Sequence, residues 1–355
     1  MDYSGEECSI IAADSFAELN YRQKRALMCA TDKNNALADK CEQMLIKSLG
    51  GGVYNKVKAR FLSPEYRAKI YGWLSKRGIV CVTLKSSNYP SQLANIPTPP
   101  LVLYCRGSVN LLSGECFAIV GSRRTPAATA SACKRIAGEV ARQMAIVTGV
   151  ADGGDTAAIL GALPSGRVIC VLPGGHDCVN TLSNAALIKQ VEERGLVISE
   201  FSPATAVQRY MFTVRNRIIA GLSRGVLVVS APLKSGALIT AGYAADYGRD
   251  VFAFPHSLGV SAGEGCNNLI KNGAMLCQNT LDILSAFGLE YKTEPDKLTK
   301  EEQAVLSVLR ANGESHIQFI ASSVNLQIFQ AVTILSSLEI KGLAVRCGGN
   351  KYSAV

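Results

Sequence analysis

Two adjacent arginines stand in a tight turn that the sequence places between a strand and a helix. The stretch 117–150, FAIVGSRRTPAATASACKRIAGEVARQMAIVTGV, predicts strand, turn, helix and strand. A helix with Thr125 as its cap and Pro126 at its first position leaves backbone N–H groups free to bind phosphate. Arginines add bidentate donors, which suit a phosphodiester chain; the alternative is an ordinary turn with solvated arginines. The candidate phosphate-binding residues are Gly121, Ser122, Arg123 and Arg124.

A second basic cluster surrounds an aromatic residue. The segment RYMFTVRNRIIAGLS places Arg209, Arg215 and Arg217 around Phe212. Cations that follow a nucleic-acid backbone beside a ring that stacks on a base are typical of single-strand binding grooves. The alternative is a helix start with Phe212 in the core and the arginines paired with carboxylates.

A third segment, APLKSGALITAGYAADYGRDVFAFP, repeats the logic of the first turn. It follows a predicted strand at 225–231, and its small residues at 235–236 predict the start of another helix. Lys234, Ser235 and Thr240 are candidate phosphate contacts. Close packing of SGALITA against the sheet explains the small residues equally well.

Catalytic and metal chemistry find little support. His176 and Asp177 follow a predicted strand, but no serine or cysteine in a nucleophile turn accompanies them. The three histidines are far apart in sequence, and the twelve cysteines form no CxxC pair, so they indicate buried thiols in a reducing compartment. We therefore expect no catalytic centre, no metal site and no cofactor.

Composition limits the class of protein. The chain has 355 residues, of which 48% are hydrophobic, and 37 basic against 28 acidic residues give a net charge of +9. This charge suits a polyanionic partner and equally a slightly basic metabolic enzyme. No signal peptide or membrane-spanning run is visible, so the sequence predicts a cytoplasmic protein without a membrane partner.

The elements that must position these clusters fall into three parts. Residues 1–80 predict a small helical domain, and the proline-rich stretch 80–107 predicts an extended connector. Strands and helices alternate from 117 to 287, which predicts a doubly wound α/β sheet with its ligand at the carboxyl ends of the strands. Residues 297–355 predict a winged helix whose third helix has no basic residue, which favours a structural or protein-contact role over DNA reading.

The order of the motifs resembles the family of the DNA-processing protein DprA, also called Smf. The motifs include NYPSQLANIPTPPLVLYCRG, AIVGSRRTP, TGVADGGDTAAILGAL, VISEFSP, FTVRNRIIAGLSRGVLVVSAPLKSGALITAGYAADYGRDVFAFP and SAGEGCNNLIKNGA. The resemblance covers 88 to about 284 and fits the winged-helix tail. It implies an extended Rossmann-like domain over 81–288, preceded by the helical domain and followed by the winged helix.

The resemblance also implies a function without catalysis. A member of this family is expected to bind and protect single-stranded DNA, to form a homodimer through its Rossmann-like domain, and to load the recombinase RecA in natural transformation. Gly121, Ser122 and Arg123 match the family's phosphate-binding turn, and Arg209, Phe212, Arg215 and Asn216 match the rest of its DNA pocket. The full candidate DNA-binding set adds Arg124, Gly149, Arg217, Lys234, Ser235 and Thr240.

The sequence departs from the family pattern near the expected pocket, and two rival functions are open beside the resemblance. The departures are Asp152, Ile159, Thr213 and His256. A nucleoside-5′-monophosphate phosphoribohydrolase would share the PGG loop at 173–175, but the Gly-Thr and the glutamate needed for its chemistry are missing. A dinucleotide-dependent oxidoreductase gains from Asp152 as a ribose contact but lacks the Gly-x-Gly-x-x-Gly turn.

Overall fold

The chain folds into two compact units, residues 1–289 and 290–355. This computed structural model describes residues 3–16, 18–29, 35–290, 298–340 and 343–354. The predicted boundary between the Rossmann-like domain and the winged helix falls on residues that lie mostly outside these ranges.

Five helices form the beginning of the first unit: α1 Gly5–Asp14, α2 Tyr21–Cys29, α3 Asn35–Leu49, α4 Gly51–Leu62 and α5 Pro64–Ser75. Local sequence explains several ends. Ser4 and Glu7 form a reciprocal capping box at α1, and Ser63 caps α5 with Pro64 at its first position. Ile10 and Ile11 of α1 are buried against the first two strands of the sheet, so these helices share a core with it.

The remainder of this unit contains nine strands and eight helices within the described ranges. The strands are β1 Val80–Thr83, β2 Val102–Gly107, β3 Cys116–Gly121, β4 Ala145–Thr148, β5 Val168–Val171, β6 Leu196–Ser199, β7 Gly225–Ser230, β8 Asp250–Ala253 and β9 Met275–Leu276. The helices are α6 Ser91–Ala94, α7 Ala127–Val140, α8 Gly154–Ala162, α9 Ala185–Arg194, α10 Met211–Leu222, α11 Gly236–Asp246, α12 Glu264–Lys271 and α13 Thr280–Ala286.

The strands form one sheet in the order β1-β2-β6-β5-β4-β3-β7-β8-β9. Pairing is parallel from β6 through β9, and β2 runs antiparallel to both β1 and β6. Strands β3 to β7 are almost entirely buried, with one hydrophobic cluster on each face. This arrangement confirms the predicted doubly wound α/β fold, because a parallel sheet needs cover on both faces.

The stretch 80–107 is more than a connector. Its apolar segments form β1 and β2, which extend the sheet by two strands beyond β6. The prolines that indicated extended chain, at 90, 97, 99 and 100, all lie between the two strands, where no ladder hydrogen bond is lost.

The position of a ligand follows from the strand order. The chain winds outward from β3 through β4 and β5 to β6, then crosses back so that β7 pairs with β3 on the other side. The crevice between loops that leave in opposite directions opens at the carboxyl ends of β3 and β7. The three basic segments found in the sequence all meet this edge.

The second unit has the outline of a winged helix. It contains α14 Lys300–Asn312, β10 Ser315–His316, α15 Ile317–Ser323, α16 Ile328–Ile340, β11 Ala344–Cys347 and β12 Lys351–Ala354, with the strands in the order β10-β12-β11. Residues 317–338 include no charged side chain. Phe319 and Phe329 stand exposed on α15 and α16, Phe329 to 70%.

The described helices can be compared with the length and apolar composition that a membrane span needs. None of them is, taken singly, both long and apolar enough to cross a bilayer; α15 and α16 meet that length and composition only when joined across a bend of 103°.

Candidate functional site

A cavity of about 700 Å³ opens where β3 and β7 end. It collects residues from all three basic segments, the first of which lies more than 80 positions before the other two in the chain. The predicted site residues that line it are Gly121, Ser122, Arg123, Arg124, Arg209, Phe212, Arg215, Asn216, Lys234, Ser235 and Thr240. The fold therefore joins eleven of the thirteen candidates in one place.

The first turn is held by its neighbours on both sides. The register of β3 with β7 shifts at Gly121, and the Ser122 N–H donates to Ser230 O at 2.7 Å. A Cβ on Gly121 would lie 2.9 Å from the Gly154 Cα, so glycine is required for this close approach. The Ser122 N–H is thus not free for phosphate.

The helix after this turn begins later than the sequence predicts. Helix α7 starts at Ala127 with Pro126 as its N-cap, and no side chain caps it. Thr125 was expected to be the cap, but its hydroxyl donates to Ser122 O at 2.8 Å instead. The threonine therefore closes the turn and leaves the helix end open toward solvent.

Four cations border the cavity and form no ion pair within the described part of the chain. Arg123, Arg124, Arg209 and Lys234 are exposed, and none of them forms an ion pair with any carboxylate of the described ranges. A single acidic side chain, Asp155, lines the cavity. The balance of charge is therefore strongly positive, which attracts a polyanion.

Phe212 is a wall of the cavity and not part of the core. Its side chain is half-buried and belongs to neither hydrophobic cluster of the sheet. The Arg123 Cζ lies 5.5 Å from the centroid of the Phe212 ring, within range of a cation–π contact. The alternative interpretation is therefore wrong in placing Phe212 in the core, although one of the three arginines, Arg217, does pair with a carboxylate.

Arg215 forms the floor of the cavity together with an acid that the sequence analysis did not single out. Arg215 is 4% exposed and Asp155 is 5% exposed. The Arg215 Nη1 donates to Val171 O at 2.6 Å, whereas its buried Nε has no partner among the described atoms. Asp155 accepts from the Gly121 N–H at 3.3 Å and from the Ala151 N–H at 3.2 Å.

Asp155 and Arg215 each offset the effect of burial on the other's pKa. Burial raises the pKa of Asp155, and the nearby Arg215 guanidinium acts in the opposite direction. Burial likewise lowers the pKa of Arg215, while Asp155 counteracts this shift. The sequence held one signal for Asp155: an acid in the first turn of α8, close after the end of β4.

The second and third segments pack against each other through polar contacts. The Asn216 Nδ2 donates to Gly236 O at 3.2 Å, and the Ser235 hydroxyl caps α11 by accepting from the Ala237 N–H at 3.3 Å. Thr240 is buried one turn further along α11. These residues shape the wall, and among the predicted contacts of this segment only Lys234 is exposed.

Two predicted residues are not brought to the cavity. Arg217 points elsewhere on α10, donating to Thr98 O and pairing with Glu200. Gly149 lies beneath the floor, where a Cβ would collide with Asp155 and with both terminal nitrogens of Arg215. Gly149 therefore makes room for the buried pair. Asp152 is exposed and does not line the cavity.

His176 and Asp177 are tied into the structure at another place. The buried His176 ring has its Nε2 2.8 Å from Tyr104 O, and Asp177 pairs with Arg77 at 2.9 Å. Across the described ranges no group of three or more histidine, cysteine, aspartate or glutamate side chains has an arrangement that could hold a metal ion.

Comparison with known proteins gives this cavity its context. Residues 80–288 match the family model described as DNA recombination-mediator protein A. The DNA processing protein DprA of Streptococcus pneumoniae is 38% identical over 200 residues, which cover 56% of this chain and 71% of that protein. The X-ray structure of DprA from Streptococcus pneumoniae aligns with a TM-score of 0.66 and 28% identity, over 80% of this chain and 98% of that one.

A second solved structure concerns the single-stranded DNA binding mode of DNA processing protein A from Helicobacter pylori. It aligns with a TM-score of 0.54 and 30% identity, over 58% of this chain and 95% of that one. The matched family region, 80–288, contains every residue that lines the cavity at β3 and β7.

Proposed function

Because the chain belongs to the DNA recombination-mediator protein A family, we propose that it is a recombination mediator that binds single-stranded DNA in the cavity at β3 and β7. In this role it protects incoming single strands and loads RecA onto them in natural transformation, in the cytoplasm. The proposal assigns no catalytic residue.

One observation carries the proposal. The cavity combines exposed cations, which form no ion pair with a carboxylate that the structure describes, with a half-buried aromatic ring beside them. Cations neutralise the phosphates of a single strand, and a ring offers a face to any base, which gives affinity without sequence preference. The match to the Helicobacter pylori protein supports the same partner class.

The decisive experiment is a fluorescence titration with single-stranded and double-stranded oligonucleotides at several salt concentrations. Single-stranded DNA should bind more tightly, and log affinity should fall linearly with log salt. A cavity of about 700 Å³ also has room for a small nucleotide, so nucleoside monophosphates are added as competitors. Binding of the monophosphate alone, without DNA binding, would contradict the proposal.

Arg123→Ala should weaken binding to all single-stranded sequences alike. Each lost phosphate contact on a single strand reduces the slope of log affinity against log salt by roughly 0.7. The matched control is Arg135→Ala, since Arg135 is an exposed arginine on α7 that pairs with Glu139 and does not line the cavity. An unchanged affinity and slope for Arg123→Ala would remove the turn from the DNA site.

Removing the second unit should leave single-strand binding within a few-fold of the full chain. Basic and acidic residues number seven each from 290 to 355, and α15 and α16 expose phenylalanines where a DNA-reading helix needs cations. The truncation begins at Leu298, beyond the compact unit that ends at residue 289. Titration of both proteins measures the difference, and a loss above about tenfold, or 1.4 kcal/mol, would assign DNA contacts to the winged helix.

We also propose that the chain forms a homodimer through the Rossmann-like domain. Strand β9 ends the sheet beside β8, and its Met275 and Leu276 side chains are exposed. An edge strand with open hydrogen-bonding groups and apolar side chains is suited to pair with a second copy.

A further inference from the structure

Two neighbouring loops beside the cavity expose large apolar side chains. Leu233 is 59% exposed and stands between Pro232 and Lys234, both of which line the cavity. Leu258 is 97% exposed, in a loop whose later residues Ser261 and Ala262 also line it. We call Leu233 and Leu258 the apolar rim.

The two loops are joined to each other and to the phosphate-binding turn. The Gly265 N–H donates to Ala231 O at 2.8 Å, which links the loop after β7 with the start of α12. The Ser230 hydroxyl lies 3.2 Å from Ala262 O and 2.9 Å from the hydroxyl of Ser122. A continuous chain of hydrogen bonds therefore runs from the phosphate-binding turn to the loop that precedes α12.

The loop that carries Leu258 is fixed at its base. His256 and Asn267 exchange two hydrogen bonds, and the His256 Nε2 lies 3.0 Å from Val229 O. The Gly263 N–H donates to Val260 O at 2.9 Å at the other end of the loop. Leu258 is thus held out by an anchored loop, and its exposure is not that of a loose chain end.

We propose that the apolar rim is a second base-binding site, which contacts bases of the same DNA strand beyond the base that stacks on Phe212. This inference rests on the proposed function. Lys234 supplies the phosphate contact beside the rim, as Arg123 does beside Phe212. Leucine side chains contact base faces without sequence preference, and apolar wedges of this kind keep neighbouring bases unstacked.

The apolar rim is better suited to bind DNA bases than to bind a protein partner. The rim is flanked by the cations of the cavity, and a single strand presents phosphates and apolar base faces in alternation along one path. A protein partner would have to match isolated leucines on one side and unpaired cations on the other. Continuity with the cavity therefore favours the same strand as the occupant of both.

The test compares oligothymidylates of about 6 and about 15 nucleotides, which span the usual site sizes of single-strand binding folds. In the full chain, Leu233→Ser combined with Leu258→Ser should reduce affinity for the longer strand about tenfold and leave affinity for the shorter strand within twofold. The salt slope should stay unchanged because no cation is removed. Leu62→Ser, at an exposed leucine on α4 that does not line the cavity, serves as the control and should change neither affinity.

Three outcomes decide the inference. An unchanged affinity for the longer strand would overturn it and leave the rim to another partner. An equal loss for both lengths would also overturn it, because the rim would then support the cavity itself. If the wild-type chain binds neither oligonucleotide, the proposed function fails, which is a different result from either of these.

A second variant gives a positive signal. Trp73 is the single tryptophan of the sequence, so Leu258→Trp adds one new fluorophore. Its emission should be quenched by the longer oligonucleotide and not by the shorter one, and an aromatic ring at this position should tighten binding of the longer strand several-fold. Absence of quenching at saturation with the longer strand would overturn the inference.

Discussion

Phe212→Leu is expected to weaken single-stranded DNA binding by about 5- to 150-fold, the equivalent of the roughly 1–3 kcal/mol attributed to a base stacked on an aromatic ring. The substitution removes the ring and keeps an apolar side chain on the cavity wall. Stacking of a base on the ring releases no counterion. Its loss should therefore leave the slope of log affinity against log salt near that of the wild type. A retained slope with a lower affinity distinguishes this variant from Arg123→Ala.

Two controls separate stacking from folding. Phe212→Tyr keeps the ring face and should retain most of the affinity. Phe212 is half-buried and outside both clusters of the sheet, so the midpoint of thermal unfolding should shift little in either variant. Wild-type affinity for Phe212→Leu in the titration would show that no base stacks on this residue.

Arg215→Met should destabilise the domain by about 3 kcal/mol, measured as the free energy of unfolding in urea. Removal of one member of a buried pair leaves the other charge uncompensated, at a cost of about 3–5 kcal/mol. We expect the low end because Asp155 keeps two backbone N–H donors. Adding Asp155→Asn to Arg215→Met should recover much of the loss, since the buried charge is then gone; no recovery would show that Asp155 is not the group left uncompensated.

The same variant should show a characteristic dependence on pH. Burial raises the pKa of Asp155 above its unfolded value, and Arg215 limits this shift. A carboxyl with a raised folded pKa destabilises the folded state as pH rises through the window between the unfolded and folded values. Without Arg215 the folded pKa of Asp155 rises further, so this pH window widens upward. The difference in the free energy of unfolding between variant and wild type should therefore be smaller near pH 4 than near pH 7.5. A difference independent of pH would assign the loss to packing alone.

The sequence by itself determined the class of fold and predicted the chemistry of the candidate site. Buried strands such as those at 168–171 and 225–230 are nearly all apolar, which only a parallel sheet covered on both faces accommodates. Residue type alone indicates phosphates and bases as ligands. The residues concerned are the arginines beside one turn, the arginine-flanked Phe212 and the lysine beside another turn. Each signal is local, so each prediction could be made from its own segment.

Only the tertiary structure decided which of these residues act together. Arg215 and Arg217 are two positions apart on α10, yet a helix turns by about 200° over two residues, so one enters the cavity floor and the other pairs with Glu200 on the far side. The uses of Gly149 and Asp155 depend on the approach of β4, α8 and α10, which no single segment encodes.

The same holds for β1 and β2 and for the apolar rim. The strand at 80–83 pairs with the strand at 102–107, which joins both to the sheet by pairing with β6 some ninety residues along the chain. Nothing in their own composition specifies that partner. Leu233 and Leu258 become neighbours of one cavity because their loops leave adjacent strands. Local sequence determines the secondary-structure preference of each segment. Contacts between distant segments determine which side chains share a site, because those contacts are stabilised by burial over the whole domain.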